Sequence, residues 1–147
     1  MSTYSFLDVT ASISGPSGSF NLGYGEAVAD EGIVTAMAGD KNTMTVGADG
    51  EGMHSLHADK SGQVTLRYLK TAPVNAKLMA MYDAQALTSS LWGQNVITIR
   101  QTASGDTTTA RKCAFKKKPD LRYAKDGDIV EWVLDSVKID TILGTYS

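Results

Sequence analysis

Cysteine and proline are few in this chain of 147 residues and long apolar runs are lacking, and the first and last of these close off whole classes of protein. No run of 18 or more apolar residues exists, so no transmembrane helix is expected and no membrane insertion by this chain. The single cysteine, Cys113, rules out an intrachain disulfide framework and is compatible with a reducing compartment. In an expected strand it reads as a small buried apolar residue rather than a nucleophile. The three prolines fall at breaks in the pattern, at positions 16, 73 and 119. The N-terminal stretch MSTYSFLDVTASIS lacks a basic region ahead of a continuous apolar segment, so it does not read as a signal peptide. The expectation is one soluble domain, residues 1–147, that stays inside the cell that makes it.

Chemistry is equally sparse. There is no phosphate-binding loop, no dinucleotide fingerprint and no G-x-S-x-G elbow. His54 and His57, with Asp49, Glu51 and Asp59 nearby, form the one cluster that resembles a metal site. In a strand, positions 54 and 57 point to opposite faces, so they read as solvated histidines and no metal or cofactor is expected. Asp49-Gly50-Glu51-Gly52 lacks the ligand pattern and closing Glu of a calcium loop. Lys116, Lys117 and Lys118 have only Phe115 beside them, with no matching aromatic platform for a nucleic acid. The chain does not read as an enzyme.

What is present is segregated charge. Residues 1–59 hold eight acidic side chains and one basic, a net −7; residues 60–125 hold twelve basic and three acidic, a net +9. Residues 126–147 return to −4, for −2 overall. Such blocks can fold side by side and cancel, or they can leave oppositely charged faces that attract further copies.

The chain is organised around Gly62–Leu87. Val64, Leu66 and Tyr68 alternate with Thr65 and Arg67, the period of a half-buried strand. At Thr71-Ala72-Pro73 the period changes, with Thr71 a candidate cap and Pro73 suited to a first turn. Val74, Leu78, Met81 and Tyr82 then fall at helical spacing, with Asn75, Lys77, Asp83 and Gln85 off the stripe. This predicts one helix over about 73–86, packed by Val74, Leu78, Met81 and Tyr82 on a sheet that includes Trp132.

Elsewhere strands dominate. Leu7, Val9, Ala11 and Ile13 alternate, Gly15-Pro16-Ser17-Gly18 turns, and Phe20 and Leu22 return. Gly23–Gly32 reads as a Gly-rich acidic connection, followed by a strand over Ile33–Met37. Further strands are expected over Asn95–Gln101, Thr107–Phe115 and Ile129–Asp140. In the last, Val130, Trp132 and Leu134 take one face and Glu131 and Asp135 the other. The apolar set moves to Val137 and Ile139 beyond Ser136, which hints at a bulge. The fold class is mainly β: an antiparallel sandwich or partly closed barrel with one flanking helix.

Ala38–Ser61 stands apart as an arm of two β-like pieces, Asn42–Gly47 and Met53–Ala58, around the tip Ala48–Gly52. Its large apolar side chains, Met44, Val46, Met53 and Leu56, are too few to bury both faces. A segment of this length without its own core is usually functional or disordered. A neighbouring molecule could supply the missing face to Asn42, Met44, Val46, Met53 and Leu56, with the acidic tip, Asp49 and Glu51, meeting Arg111, Lys112 and Lys116–Lys118. The alternative is a hairpin folded back on its own sheet.

The arm and the adjoining strand and helix, GDKNTMTVGADGEGMHSLHADKSGQVTLRYLKTAPVNAKLMAMYDAQ, together with the later segment FKKKPDLRYAKDGDIVEWVLDSVKID, resemble phage tail tube proteins of the contractile-tail kind. Their relatives build type VI secretion and pyocin-like tubes. The resemblance implies six-membered rings stacked into a hollow DNA conduit, a closed β-barrel around the lumen, and a helix outside it. It also implies an arm that reaches neighbouring subunits and a surrounding sheath, with baseplate and tail-terminator proteins as further partners. Assembly would take place in the host bacterial cytoplasm and the product would reside in the virion tail. Glu131 and Asp135 become candidate lumen residues, whose carboxylates would repel passing DNA without binding it; the alternative is an outer face covered by sheath or water. A baseplate or tail-completion subunit of the same fold, or a monomeric β-sandwich that binds a ligand, are the competing readings.

Overall fold

A computed structural model of the protein describes residues 2–146. A short 3₁₀ turn at Phe6–Asp8 precedes nine strands and one helix. The strands are β1 (Val9–Gly15), β2 (Gly18–Asn21), β3 (Val28–Met37), β4 (Asn42–Val46), β5 (Gly52–Leu56), β6 (Gly62–Leu69), β7 (Asn95–Gln101), β8 (Asp106–Phe115) and β9 (Ile129–Ile142). The helix, α1, spans Val74–Gln85 between β6 and β7. Seven strands form one sheet in the order β2-β1-β7-β8-β9-β6-β3, every neighbour antiparallel, while β4 and β5 pair only with each other.

The sheet curls because its strands are staggered. β9 pairs with β6 through Ile129–Ser136 and with β8 through Leu134–Ile142, sharing only three residues between the two partners. Such sideways stepping tilts strands and bends a sheet toward closure. The backbone from Leu22 to Ala27 spans the open side. Leu22 and Tyr24 donate to the carbonyls of Ala11 and Val9, and Leu69 donates to that of Ala27. The Tyr68 hydroxyl, on a buried ring, donates to the Leu22 carbonyl at 2.7 Å. A curled half-barrel, not two stacked sheets, is therefore the form the antiparallel sheet takes.

Alternation places the core on the inner face. In β6, Val64, Leu66 and Tyr68 have no exposed surface, and in β9 Val130, Trp132 and Leu134 are buried opposite them. The helix lies across this face, with Val74, Leu78 and Met81 buried. Tyr82 is half-buried and joins an edge-to-face chain, Trp92–Tyr82–Phe115–Trp132, with centroids 6.0, 5.7 and 5.8 Å apart. This geometry suits the aromatic quadrupoles and adds to burial.

Several local expectations are corrected. Thr71 does not cap the helix: Pro73 is the cap residue, and no side chain bonds the first turn. Asn75 does the local tying instead, donating to the Leu69 carbonyl at 2.9 Å and accepting from the Trp132 indole at 3.1 Å. Gln85 is not off the stripe but fully buried. Its amide exchanges two hydrogen bonds of 2.7 Å with Asn95 and donates a third to the Ser17 hydroxyl at 3.1 Å. Gly15 leaves the room this needs, since a Cβ there would collide with the Asn95 amide oxygen. Leu7 lies in the 3₁₀ turn and is exposed rather than in a strand. β3 begins at Val28, inside the expected connection, with an irregular register before Ile33. Val137 points outward, and it is Ser136 and then Ile139 that are buried. The faces exchange there because β8 is irregular alongside: Lys112 adopts φ 53° and the β7–β8 register shifts between Asn95 and Ile97. The Ser136 hydroxyl lies 2.8 Å from the Arg111 carbonyl and 3.1 Å from that of Lys138, serving both backbone groups.

Candidate assembly surfaces

The arm continues the β3–β6 hairpin. Met37 pairs with Gly62, Ala38 donates to the Ser61 carbonyl, and after a one-residue slip His57 donates to the Lys41 carbonyl. β4 and β5 then pair from Asn42↔Leu56 to Val46↔Gly52. Pairing residues share a face, so Asn42, Met44, Val46, His54 and Leu56 lie on one side and Thr43, Thr45, Met53 and Ser55 on the other. Met53 is thus separated from the three other large apolar residues. Neither side is covered: Met44 is 60% exposed, Val46 55%, Met53 60% and Leu56 82%. The hairpin does not fold back on its own sheet. Polar ties stiffen it, with Asn42 Nδ2 3.1 Å from His54 Nδ1 and Thr43 Oγ1 2.7 Å from His57 Nε2. At the tip, Asp49 accepts from the Glu51 N–H and Gly50 takes φ 91°, where glycine is favoured.

The basic residues divide into two groups. Arg111 sits at the root of the arm and bonds Asp140 at 2.8 Å; Lys60 and Lys138 approach the same carboxylate at 3.3 and 3.8 Å. This convergence, led by the Lys60 hydrogen bond, holds Asp140 below the usual carboxylate range. Lys112 is exposed beside Arg111. Lys116, Lys117 and Lys118 open the Lys116–Asp128 loop, which starts where Lys116 donates to the Val133 carbonyl and closes where Lys70 donates to the Asp128 carbonyl. In that loop Arg122 lies 3.7 Å from Asp128, and Lys70 sits 4.1 Å over the Tyr123 ring. The sequence block therefore does not make one surface: Arg111 pairs with Lys138 beside the arm's root, while Lys116, past the end of β8, bonds Val133 and leads away into the loop.

Glu131 and Asp135 lie exposed on the sheet face away from the core and the helix. Neither is free. Arg67 bonds Glu131 at 2.9 Å, and the Gln63 amide donates to Asp135 at 3.0 Å. The surrounding face is polar, with Thr65 and Gln63 on β6 and Thr98 and Arg100 on β7 half-buried or exposed.

No reactive constellation accompanies these surfaces. Among the described residues no three His, Cys, Asp or Glu side chains come together to hold a metal ion. Cys113 is buried, and burial pushes its thiol up, away from the reactive thiolate. An open groove of about 470 Å³ lies between the start of β1 and β3, lined by Tyr4, Phe6, Val9, Val28, Ile33 and Ile99. Sequence reasoning missed the Asp140 cluster and the Gln85–Asn95 pair, since both join residues distant in sequence or separated by a loop.

Comparison with known proteins points the same way. The family model described as bacteriophage PhiTE tail tube protein matches residues 1–144. No curated protein matches the sequence. Among solved structures, the chain is similar to one from the PVC sheath/tube terminator of an extracellular contractile injection system in its extended state. The TM-score is 0.63 at 13% identity, covering 97% of this chain and 98% of that one. It is similar to a chain of the six-fold symmetrised baseplate of the anti-feeding prophage, at TM-score 0.63, 12% identity and 97% of both chains. A chain of the same particle's tube-terminating cap gives TM-score 0.57 at 6% identity, covering 98% and 93%. At these identities the likeness is one of fold.

Proposed function

The chain belongs to the bacteriophage PhiTE tail tube protein family and is a structural subunit of a tail, and from that premise we propose that it builds the tube itself. In this reading it assembles in the host cytoplasm into six-membered rings, stacks them into a hollow conduit for DNA, and is enclosed by a sheath between baseplate and terminator proteins. The observation that carries it is the arm: a well-formed hairpin, exposed on both faces, attached to a domain whose core is otherwise closed. An unsupported two-stranded hairpin is marginal in water, so a neighbouring copy is the natural source of its missing packing. The ring number is taken over from the six-fold baseplate that the fold resembles.

Electron microscopy and sedimentation velocity of the purified protein test this reading. Long hollow tubes are expected, and a concentration-independent particle of about 16 kDa, the mass of one chain, overturns it. Replacing Asn42–Ala58 by a short Gly/Ser linker should leave a folded domain that no longer forms tubes, since that segment covers none of the core. A second reading is an end subunit, a terminator or baseplate ring of the same fold. Similarity to terminator, cap and baseplate chains favours it. Rings that never lengthen at any concentration would support it over the first.

A further inference from the structure

The Lys116–Asp128 loop, which joins β8 to β9, holds five basic side chains against three acidic. It is braced at both ends and in the middle. Lys116 donates to the Val133 carbonyl where the loop begins, and Lys70 donates to the Asp128 carbonyl where it closes. Between these ties Arg122 lies 3.7 Å from Asp128, and the Lys70 ammonium sits 4.1 Å over the Tyr123 ring. Lys70 thereby adds a further cation to the same surface.

The braces leave most of the positive charge unused. Lys116, Lys117, Lys118 and Lys125 are exposed and form no ion pair among the described residues. Arg111, by contrast, is spent on Asp140. The nearby carboxylates are spent too: Asp128 on Arg122, Glu131 on Arg67 and Asp135 on the Gln63 amide. An open groove of about 370 Å³ runs between Lys117 and Arg122 of the loop and Ile129, Glu131 and Val133 of β9, so the loop stands off the sheet.

The free groups suit phosphate better than carboxylate. All four are lysines, point charges that satisfy a phosphate from many directions. A fixed carboxylate is held better by the planar fork of an arginine, and the loop's one arginine is already given to Asp128. Tyr123 is 84% exposed, and with Lys70 on one face its other face is open to a base or a sugar. In the sequence the lysine run has only Phe115 beside it, and Phe115 is buried. The fold supplies Tyr123 in its place.

We infer that the Lys116–Lys125 segment is a nucleic-acid contact, whose lysines bind the phosphate backbone without regard to sequence. The inference goes beyond the tube reading and does not depend on it. Counterion release makes such a contact firm in dilute salt and weak near physiological salt, where a nucleic acid is touched rather than held.

Fluorescence anisotropy of a labelled DNA duplex of about 20 base pairs tests the contact. If three or four lysines engage, log K should fall by about 0.9 per lysine for each decade of salt. Affinity should then drop about 40- to 150-fold between about 50 and 200 mM salt. Lys116→Gln, Lys117→Gln, Lys118→Gln and Lys125→Gln together should cost at least about ten-fold at about 50 mM and flatten the salt dependence. These side chains are exposed and cover no core, so the variant should melt with the parent. Arg111→Gln with Lys112→Gln should stay within about two-fold of the parent, as expected for charges outside the contact. A parent protein that does not bind the duplex at about 50 mM salt overturns the inference, as does an equal loss in the two variants. Displacement by poly-glutamate as effective, charge for charge, as by unlabelled duplex also overturns it and assigns the loop to an acidic polypeptide. Anisotropy reads binding whether or not tubes form, so failure of the parent to assemble would overturn the tube reading alone.

Discussion

The buried amide pair, Gln85 with Asn95, offers the sharpest test of how the helix is fixed to the sheet. Both side chains have no exposed surface, and each amide donates to the other's oxygen at 2.7 Å. Gln85→Met keeps length and volume but strands one donor and one acceptor of Asn95 in a fully buried site. An unsatisfied buried group costs about 1–3 kcal/mol, so stranding two should cost about 2–6 kcal/mol. Asn95→Leu, which keeps the branched outline, should cost less, about 1–3 kcal/mol, because it strands the Gln85 oxygen while the amide nitrogen keeps its bond to Ser17. The double variant removes both polar groups and should be far less damaging than the sum, because a matched apolar replacement is nearly neutral. Ser17 loses a donor in that variant, but it is exposed and water can replace the bond. The expected coupling is at least about 1.5 kcal/mol. In a chain of this length each kcal/mol moves the melting temperature by about 2–4 °C, so Gln85→Met should melt roughly 4–24 °C lower. Urea titration of the wild type, both singles and the double measures the cycle. Additivity within about 0.5 kcal/mol would refute the reasoning, for it would mean that the amides do not depend on one another.

Leu78→Ala should cost about 2–5 kcal/mol, since Leu78 is fully buried, whereas Lys77→Ala, exposed on the other side of the helix, should stay within about 0.5 kcal/mol; equal shifts in chemical denaturation would discredit the helical phase. Glu131→Lys with Asp135→Lys frees Arg67 from its carboxylate and turns this patch of the sheet from net negative to strongly basic. Tubes should still form but should retain DNA in a nuclease-protection assay, and unchanged retention would remove these residues from the lumen. Burial holds the Tyr68 hydroxyl protonated well above its usual value of 10.0. The unfolded chain releases that proton first as pH rises, so stability should fall above about pH 10. Tyr68→Phe should flatten that slope while costing the hydrogen bond to Leu22 at neutral pH, and an identical alkaline slope in both proteins would contradict the assignment.

Strands buried on one face were legible because alternation survives there: Gly62–Leu69 and the first half of β9 follow the expected pattern residue by residue. The arm was legible from a shortage, since four large apolar residues in 24 positions cannot make a core. What failed did so for tertiary reasons. Gln85 looks like a solvent residue by type, and only a second amide from across a loop makes its burial tolerable. Val28–Asp30 reads as loop because its flanks are glycine-rich and acidic, yet Val28 is drawn into the sheet by its pairing with Tyr68. Val137 was expected inside because it is apolar, but the irregularity at Lys112 belongs to the adjacent strand. The separation of Arg111, beside the arm's root, from the Lys116–Asp128 loop needed the register of β8, which composition does not encode.

Seven strands, each opposed to its neighbours, leave the two outermost ones, β2 and β3, running in the same direction. That parity has a consequence for growth. If β3 of one molecule met β3 of another, a two-fold axis would relate them, the junction would be antiparallel, and the pair would have consumed its like edges against each other. If β3 meets β2, simple rotation relates the molecules, the seam is parallel, and every addition leaves one fresh β2 and one fresh β3 exposed. A parallel seam binds somewhat less tightly per residue than an antiparallel one. An odd-numbered sheet therefore makes the perpetuating union the weaker one along its backbone, so in a ring of the proposed kind side chains and arms would have to supply the preference for rotation over a dead-ended couple.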